Sequence, residues 1–91
     1  MKINVKSTFQ PIETIIDVTG TTLRDILSEL SKNYAIIGEC EFFDNKNREV
    51  YPGCEVLVNE QSYQGLPDGL DMKLKAGDKL EIIPFIMVEG G

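Results

Sequence analysis

The chain closes on Pro84-Phe85-Ile86-Met87-Val88-Glu89-Gly90-Gly91. A glycine carboxylate at a chain end has the most direct route to chemistry of any group in this sequence. Its reference pKa of ~3.3–3.7 leaves it ionised at neutral pH. It can attack the α-phosphate of ATP and become an acyl adenylate; sulfide or a persulfide can then displace AMP and leave a thiocarboxylate. Glycine has no Cβ, so a partner's backbone can approach closely and φ values closed to other residues become open. From Ile86 to Gly91 an extended tail reaches roughly 20 Å at ~3.3 Å per residue. Gly91 is therefore the residue to be activated, and Gly90 gives access to it. Phe85, Ile86, Met87 and Val88 either finish the last core strand or contact a partner, since an apolar patch beside a functional tail marks an interface.

The side chains offer no competing site. The sequence has no histidine, so the commonest general base and metal ligand is missing and a Ser-His or Cys-His nucleophile cannot be built. Cys40 and Cys54 are separated by 13 residues, without the paired spacing of a zinc site or a disulfide framework. The acidic cluster Glu39, Glu41 and Asp44 resembles no calcium loop, and in Asp44-Asn45-Lys46-Asn47-Arg48-Glu49 the third position is Lys46, which fails the calcium-loop pattern. The expectation is a protein that is not an enzyme and binds no metal or cofactor itself, any ATP that the terminal carboxylate attacks being held in a partner's active site. Nine basic against fifteen acidic residues give a net charge of −6, which argues against nucleic acid as a partner and for a basic protein surface. No run of ~18 apolar residues and no leader-like apolar block is present, so neither a membrane span nor a signal peptide is expected. Two reduced thiols fit a cytoplasmic protein.

The elements that must position the tail are legible in the spacing of apolar residues. Met1, Ile3 and Val5 alternate with Lys2, Asn4 and Lys6, a strand with one wet face. After Pro11, residues 12–19 form a second strand with Ile12, Ile16 and Val18 on one side and Ile15 on the other; the short link predicts an antiparallel hairpin. Leu23, Ile26, Leu27, Leu30 and Tyr34 make one helical stripe. The helix runs from Leu23 to Asn33 or Tyr34, with Thr22 as its cap and Asp25 at the capping-box position. Residues 36–53 read as an irregular excursion of hairpin character, in which Phe42 and Phe43 join a short strand or cover the core. Val56 and Val58 define another strand, residues 63–79 read as loops with one short element at most, and Leu80 and Ile82 alternate in the last strand. Strand, strand, helix, strand, strand is the β-grasp order, an α+β plan in which one main helix packs across a mixed sheet. Its first and last strands are placed centrally and parallel. One domain spans residues 1–91, with a flexible Gly-Gly tail from about residue 86.

The second half carries a family likeness. Val56, Val58 and Asn59, then Leu74, Gly77, Asp78, Leu80, Ile82 and Pro84, then Gly90 and Gly91 resemble the MoaD/ThiS family of ubiquitin-like sulfur carriers, MoaD in particular. Glu60 stands where the family usually has glycine, and the tail is about two residues longer than the common one. The resemblance implies a carrier that performs no catalysis itself. Its partners would be a MoeB-like adenylating enzyme, a sulfur donor protein and a MoaE-like large synthase subunit, with the sulfur passing to molybdopterin for molybdenum or tungsten cofactor biosynthesis. Thiazole or cysteine synthesis, conjugation to lysines through Gly91, and a non-activated β-grasp interaction module remain open at this point.

Overall fold

The computed structural model describes residues 1–7, 10–33 and 42–83. Its elements follow in chain order. They are β1 (Lys2–Ser7), β2 (Gln10–Asp17), α1 (Leu23–Asn33), β3 (Phe43–Asp44), β4 (Glu49–Val50), β5 (Glu55–Val58), β6 (Gln61–Ser62) and β7 (Lys79–Ile83). A five-stranded sheet has the order β2-β1-β7-β5-β6, and β3 and β4 form a separate two-stranded sheet. β1 and β7 are parallel, while β1 with β2, β5 with β7 and β5 with β6 are antiparallel. This is the β-grasp architecture expected from the element order, with the first and last strands adjacent and parallel as read from their alternation.

Period-two patterning explains the two faces. Ile3 and Val5 of β1, Ile16 of β2, Val56 and Val58 of β5, and Leu80 and Ile82 of β7 are buried together. Leu23, Ile26, Leu27 and Leu30 are wholly buried too and join them in one core cluster, which is the stripe that 3.6-residue periodicity predicts. Phe42 and Phe43 complete this core, so both alternatives hold: Phe43 lies in a short strand and both rings cover the core. Tyr34, the last expected member of the stripe, lies outside the described residues.

The helix start combines several hydrogen bonds. Thr22 Oγ1 accepts from the Asp25 amide at 3.1 Å, the bond an N-cap hydroxyl makes. Asp25 does not close a reciprocal capping box; its carboxylate instead accepts from Arg48 at 2.6 Å. A shorter acid at that position leaves the carboxylate free to take a guanidinium from a neighbouring element. The returning carboxylate is that of Glu29, one turn further on, which accepts from the Thr19 amide at 3.0 Å and from the Gly20 amide at 3.1 Å. Gly20 has to be small here, because a Cβ would lie 2.8 Å from that of Asp25.

The excursion resolves, over residues 42–53, into the β3–β4 hairpin laid on α1. The Asp44 carboxylate accepts from the amides of Lys46 at 2.9 Å and Asn47 at 3.2 Å, and the Arg48 amide returns to the Asp44 carbonyl at 2.7 Å. Arg48 takes φ 62° to close the turn. Ser28 donates to Asn45 Oδ1 at 2.6 Å, and Asn45 Nδ2 donates to Ser31 at 2.8 Å, so the buried hydroxyl of Ser28 is satisfied. Arg24 donates to the Arg48 carbonyl at 3.0 Å and pairs with Asp71. The stretch read as loops holds more structure than expected. It contains 3-10 turns at Tyr63–Gly65 and Gly69–Asp71, and Lys73 bridges to Thr22. Turns this short leave no periodicity to read in advance.

Two expected outcomes follow from the turns. Asn59 and Glu60 join β5 to β6 with φ 51° and 74°, the left-handed pair of a two-residue hairpin loop. Asparagine tolerates this region, whereas glutamate pays its Cβ penalty in full. Glu60→Gly should therefore raise stability by about 0.5–1 kcal/mol after the entropy that glycine adds to the unfolded chain, seen as a higher urea midpoint at an unchanged m-value. A lower midpoint would show that the Glu60 side chain supplies more than the strain costs. The second concerns acid. The amides of Asn47 and then Lys46 hold the Asp44 carboxyl below its ordinary value of 3.8. A folded value below the unfolded one adds stability above the unfolded pKa, and this is lost as pH falls through the folded value. In an NMR titration the Lys46 and Asn47 amides should shift together below pH 3.8, and Asp44→Asn should abolish that step.

Candidate functional site at the end of the central strand

All of the tail residues singled out above, Phe85, Ile86, Met87, Val88, Gly90 and Gly91, lie outside the described residues. The structure describes the strand that delivers them. β7 is the middle strand of five and is hydrogen-bonded on both sides. Ile82 pairs with Ser7 of β1 and Val56 of β5, and Ile83 pairs with Glu55. The root of the tail thus stands between the end of β1 and the start of β5, with Leu80 and Ile82 anchored in the core.

The start of β7 is fixed as tightly, by residues that the family motif contains. The Asn59 amide donates to the Lys79 carbonyl at 2.9 Å, and Asn59 Oδ1 accepts from the Lys79 amide at 3.0 Å. Asn59 Nδ2 reaches Asp78 Oδ1 at 3.3 Å, while Asp78 Oδ2 accepts from the Lys75 amide at 2.8 Å. Gly77 turns the chain with φ 89° and donates to the Lys2 carbonyl at 2.8 Å. The Asn4 amide completes the clamp on the Asp78 carbonyl at 3.0 Å. Asn59, Gly77 and Asp78 are far apart in sequence yet converge on one turn, whose geometry sets the register of β7.

The helix-free face of the sheet carries a shallow groove lined by Asn4, Lys6, Glu13, Leu57, Lys79 and Glu81 among others. Register explains the lining: Lys6 pairs with Glu81 across the β1/β7 junction, and Glu81 with Leu57 across the β7/β5 junction. Alternating charge therefore crosses the sheet and ends on an apolar side chain. Nothing in the linear sequence brings these residues together. Their signal was the wet-face parity of each strand, which becomes a row only when the parallel register is known. Just after β6, partial burial pushes the Tyr63 phenol up, and the carboxylates of Glu55 and Glu49 add to the shift. Among the described residues no three of His, Cys, Asp or Glu converge on a point that could hold a metal. Among them too, no helix is long and apolar enough to cross a membrane.

Solved structures with the same architecture place this geometry in context. The HVO 2177 protein of Haloferax volcanii aligns with a TM-score of 0.66 at 25% identity, covering 100% of this chain and 87% of that one. Urm1 from Trypanosoma brucei aligns with a TM-score of 0.69 at 24% identity, covering 97% and 95%. SAMP1 from Haloferax volcanii aligns with a TM-score of 0.67 at 21% identity, covering 98% and 100%. These likenesses establish the shared ubiquitin-like β-grasp fold. No curated protein sequence matches the chain. The ThiS family, by contrast, matches residues 5–91, from the first strand through the clamp at Asn59 and Asp78 to the final glycine. On that match the chain belongs to the ThiS family of ubiquitin-like sulfur carriers and modifiers.

Proposed function

We propose that this protein is a sulfur carrier whose working group is the carboxylate of Gly91. One observation carries the reading: the central strand, held at both edges, leads directly into an apolar segment and Gly90-Gly91, and the family match extends through residue 91. The chemistry requires a carboxylate that can be placed in an enzyme's ATP site while the body docks outside. A MoeB-like adenylating enzyme joins the carboxylate oxygen to the α-phosphate of ATP and releases pyrophosphate. Sulfide, from a sulfur donor protein, attacks the acyl carbon, and AMP leaves with the bonding pair. The product is a thiocarboxylate at Gly91. Gly90 lets the tail pass a narrow channel, and Phe85, Ile86, Met87 and Val88 contact the channel mouth. The carrier itself is not a catalyst in this scheme; ATP belongs to the partner, and the reaction belongs to the cytoplasm.

For the acceptor we take molybdopterin, with sulfur delivered inside a synthase formed with a MoaE-like subunit. The support is the spacing from Val56-Leu57-Val58-Asn59 through Gly77-Asp78 to Pro84, which resembles MoaD.

Intact mass spectrometry before and after incubation with an adenylating enzyme, ATP and sulfide tests the first step. The expected result is a mass gain equal to one oxygen replaced by sulfur, located in the C-terminal peptide. Deleting Gly91 should abolish the gain while leaving the thermal midpoint unchanged, because the residue removed has no side chain for a core to bury. A deletion variant that still gains sulfur overturns the reading. With the loaded carrier in hand, sulfur transfer to a molybdopterin precursor in the presence of the large subunit supports the acceptor assignment. Adducts on protein lysines that vanish with the Gly91 deletion would instead assign the chain as a modifier.

A further inference from the structure

The edge strand β2 carries a feature that the carrier chemistry does not use. Ile15 is 68% exposed, the only large hydrophobic so exposed among the described residues. It sits at the outer edge of the sheet, opposite Asn4 of β1. Glu13 and Asp17, two residues to either side, share its face and are also exposed. β1 separates this edge from β7, so it is distinct from the strand that delivers the tail, and Glu13 alone of the three also borders the shallow groove on the same face.

The backbone of the edge is oriented by the ladder. Val18 donates to the Met1 carbonyl at 2.8 Å, and the Met1 ammonium donates to the Val18 carbonyl at 2.9 Å. In an antiparallel pair such doubly bonded residues alternate with pairs whose amides and carbonyls turn outward. The Ile3–Ile16 and Val5–Thr14 pairs keep this phase. The amides and carbonyls of Glu13 and Ile15 therefore point away from β1, toward whatever lies beyond the edge. Backbone groups point sideways beyond the edge, while the exposed aliphatic side chain and its two flanking carboxylates stand on the open face of the sheet beside them.

We infer that this edge accepts an extended peptide strand in which two basic residues flank an aliphatic one at alternate positions. Main-chain bonds to Glu13 and Ile15 would set the register of such a strand. Its aliphatic residue covers Ile15, and its basic residues meet Glu13 and Asp17, as directly opposed unlike charges do across strands. Asp17 already receives the Met1 ammonium at 3.2 Å and lies opposite Lys2 in the ladder, yet it remains 71% exposed, so a basic residue of the added strand approaches it from the open edge. The same charges argue against a second copy of this chain. Antiparallel self-pairing centred on Ile15 would set Glu13 against Asp17 twice, and like charges directly opposed are destabilising. The net charge of −6 favours a basic occupant as well.

The test uses the full chain and a capped heptapeptide with lysine, valine and lysine at alternate positions in a threonine background. Amide NMR titration should move Glu13 and Ile15 most, with little change at β6, the opposite edge. Ile15→Thr, which keeps a β-branched residue on an exposed site, should weaken binding about fivefold to tenfold. Glu13→Gln should weaken it less and reduce its salt dependence. An isomeric peptide with the same residues in one block should bind more weakly than the alternating one. The inference is overturned by the absence of any shift at millimolar peptide, by shifts centred on β6 or the sheet face, or by equal affinity of both variants and the parent.

Discussion

The parallel pairing of β1 with β7 is the constraint on which the rest of the molecule depends. Two parallel neighbours cannot be joined by a tight turn, so everything between Ser7 and Lys79 has to leave the centre of the sheet and return to it. The chain meets this demand by turning β2 outward, carrying α1 across one face, and bringing β5 back on the far side of β7. Leu80 and Ile82 then lie between β1 and β5 with α1 in the same core cluster. A strand so enclosed slips its register only by turning Leu80 and Ile82 to water and Glu81 into the core. The direction in which the chain leaves Ile83 is therefore set by burial on one side and by hydrogen bonds on two.

The polar bonds refine what burial decides. Hydrophobic contact is non-directional, and alone it would let the loop before β7 settle in several ways. The Asn59 side chain removes that freedom, because it bonds the Lys79 amide and the Asp78 carboxylate together. The same residue takes a left-handed conformation that asparagine tolerates better than most. A similar division holds on the other side of the molecule. Phe42 and Phe43 bring the β3–β4 hairpin to the core, while Asn45 and Arg48 fix its position against Ser28, Ser31 and Asp25.

How much of this was legible follows from the range over which each signal acts. α1 was readable to its first residue, since stripe, cap and glycine all lie within one local window. The two-residue strands β3, β4 and β6 were not, because so few residues cannot display a period of two. The capping box at Asp25 failed because its true partner, Arg48, is 23 residues away. The charged row through Lys6, Glu81 and Leu57 depends on a parallel register that no local pattern encodes. Asn59, Gly77 and Asp78 stood out through their family pattern, and their reason for standing together emerged only from the turn they share. The tail residues were chosen on chemistry alone, and the described structure speaks to the strand that leads to them.

The proposed tail chemistry and the proposed peptide edge make two demands that would interfere on one surface. A carboxylate that must enter another protein's active site needs a root that does not move, and the most constrained strand in a sheet is a central one. A surface that recruits a peptide needs unsatisfied backbone groups, which only an edge strand retains. β7 and β2 occupy these opposite positions, with β1 bonded to both. β1 shares the buried face with both neighbours, through Ile3 and Ile16 toward β2 and through Val5 and Leu80 toward β7, and occupancy of the edge adds bonds beyond β2 without touching the residues that hold the tail root. Binding at one position leaves the other geometrically free, which is what a carrier needs if it is to be held by one protein while its tail is processed by another.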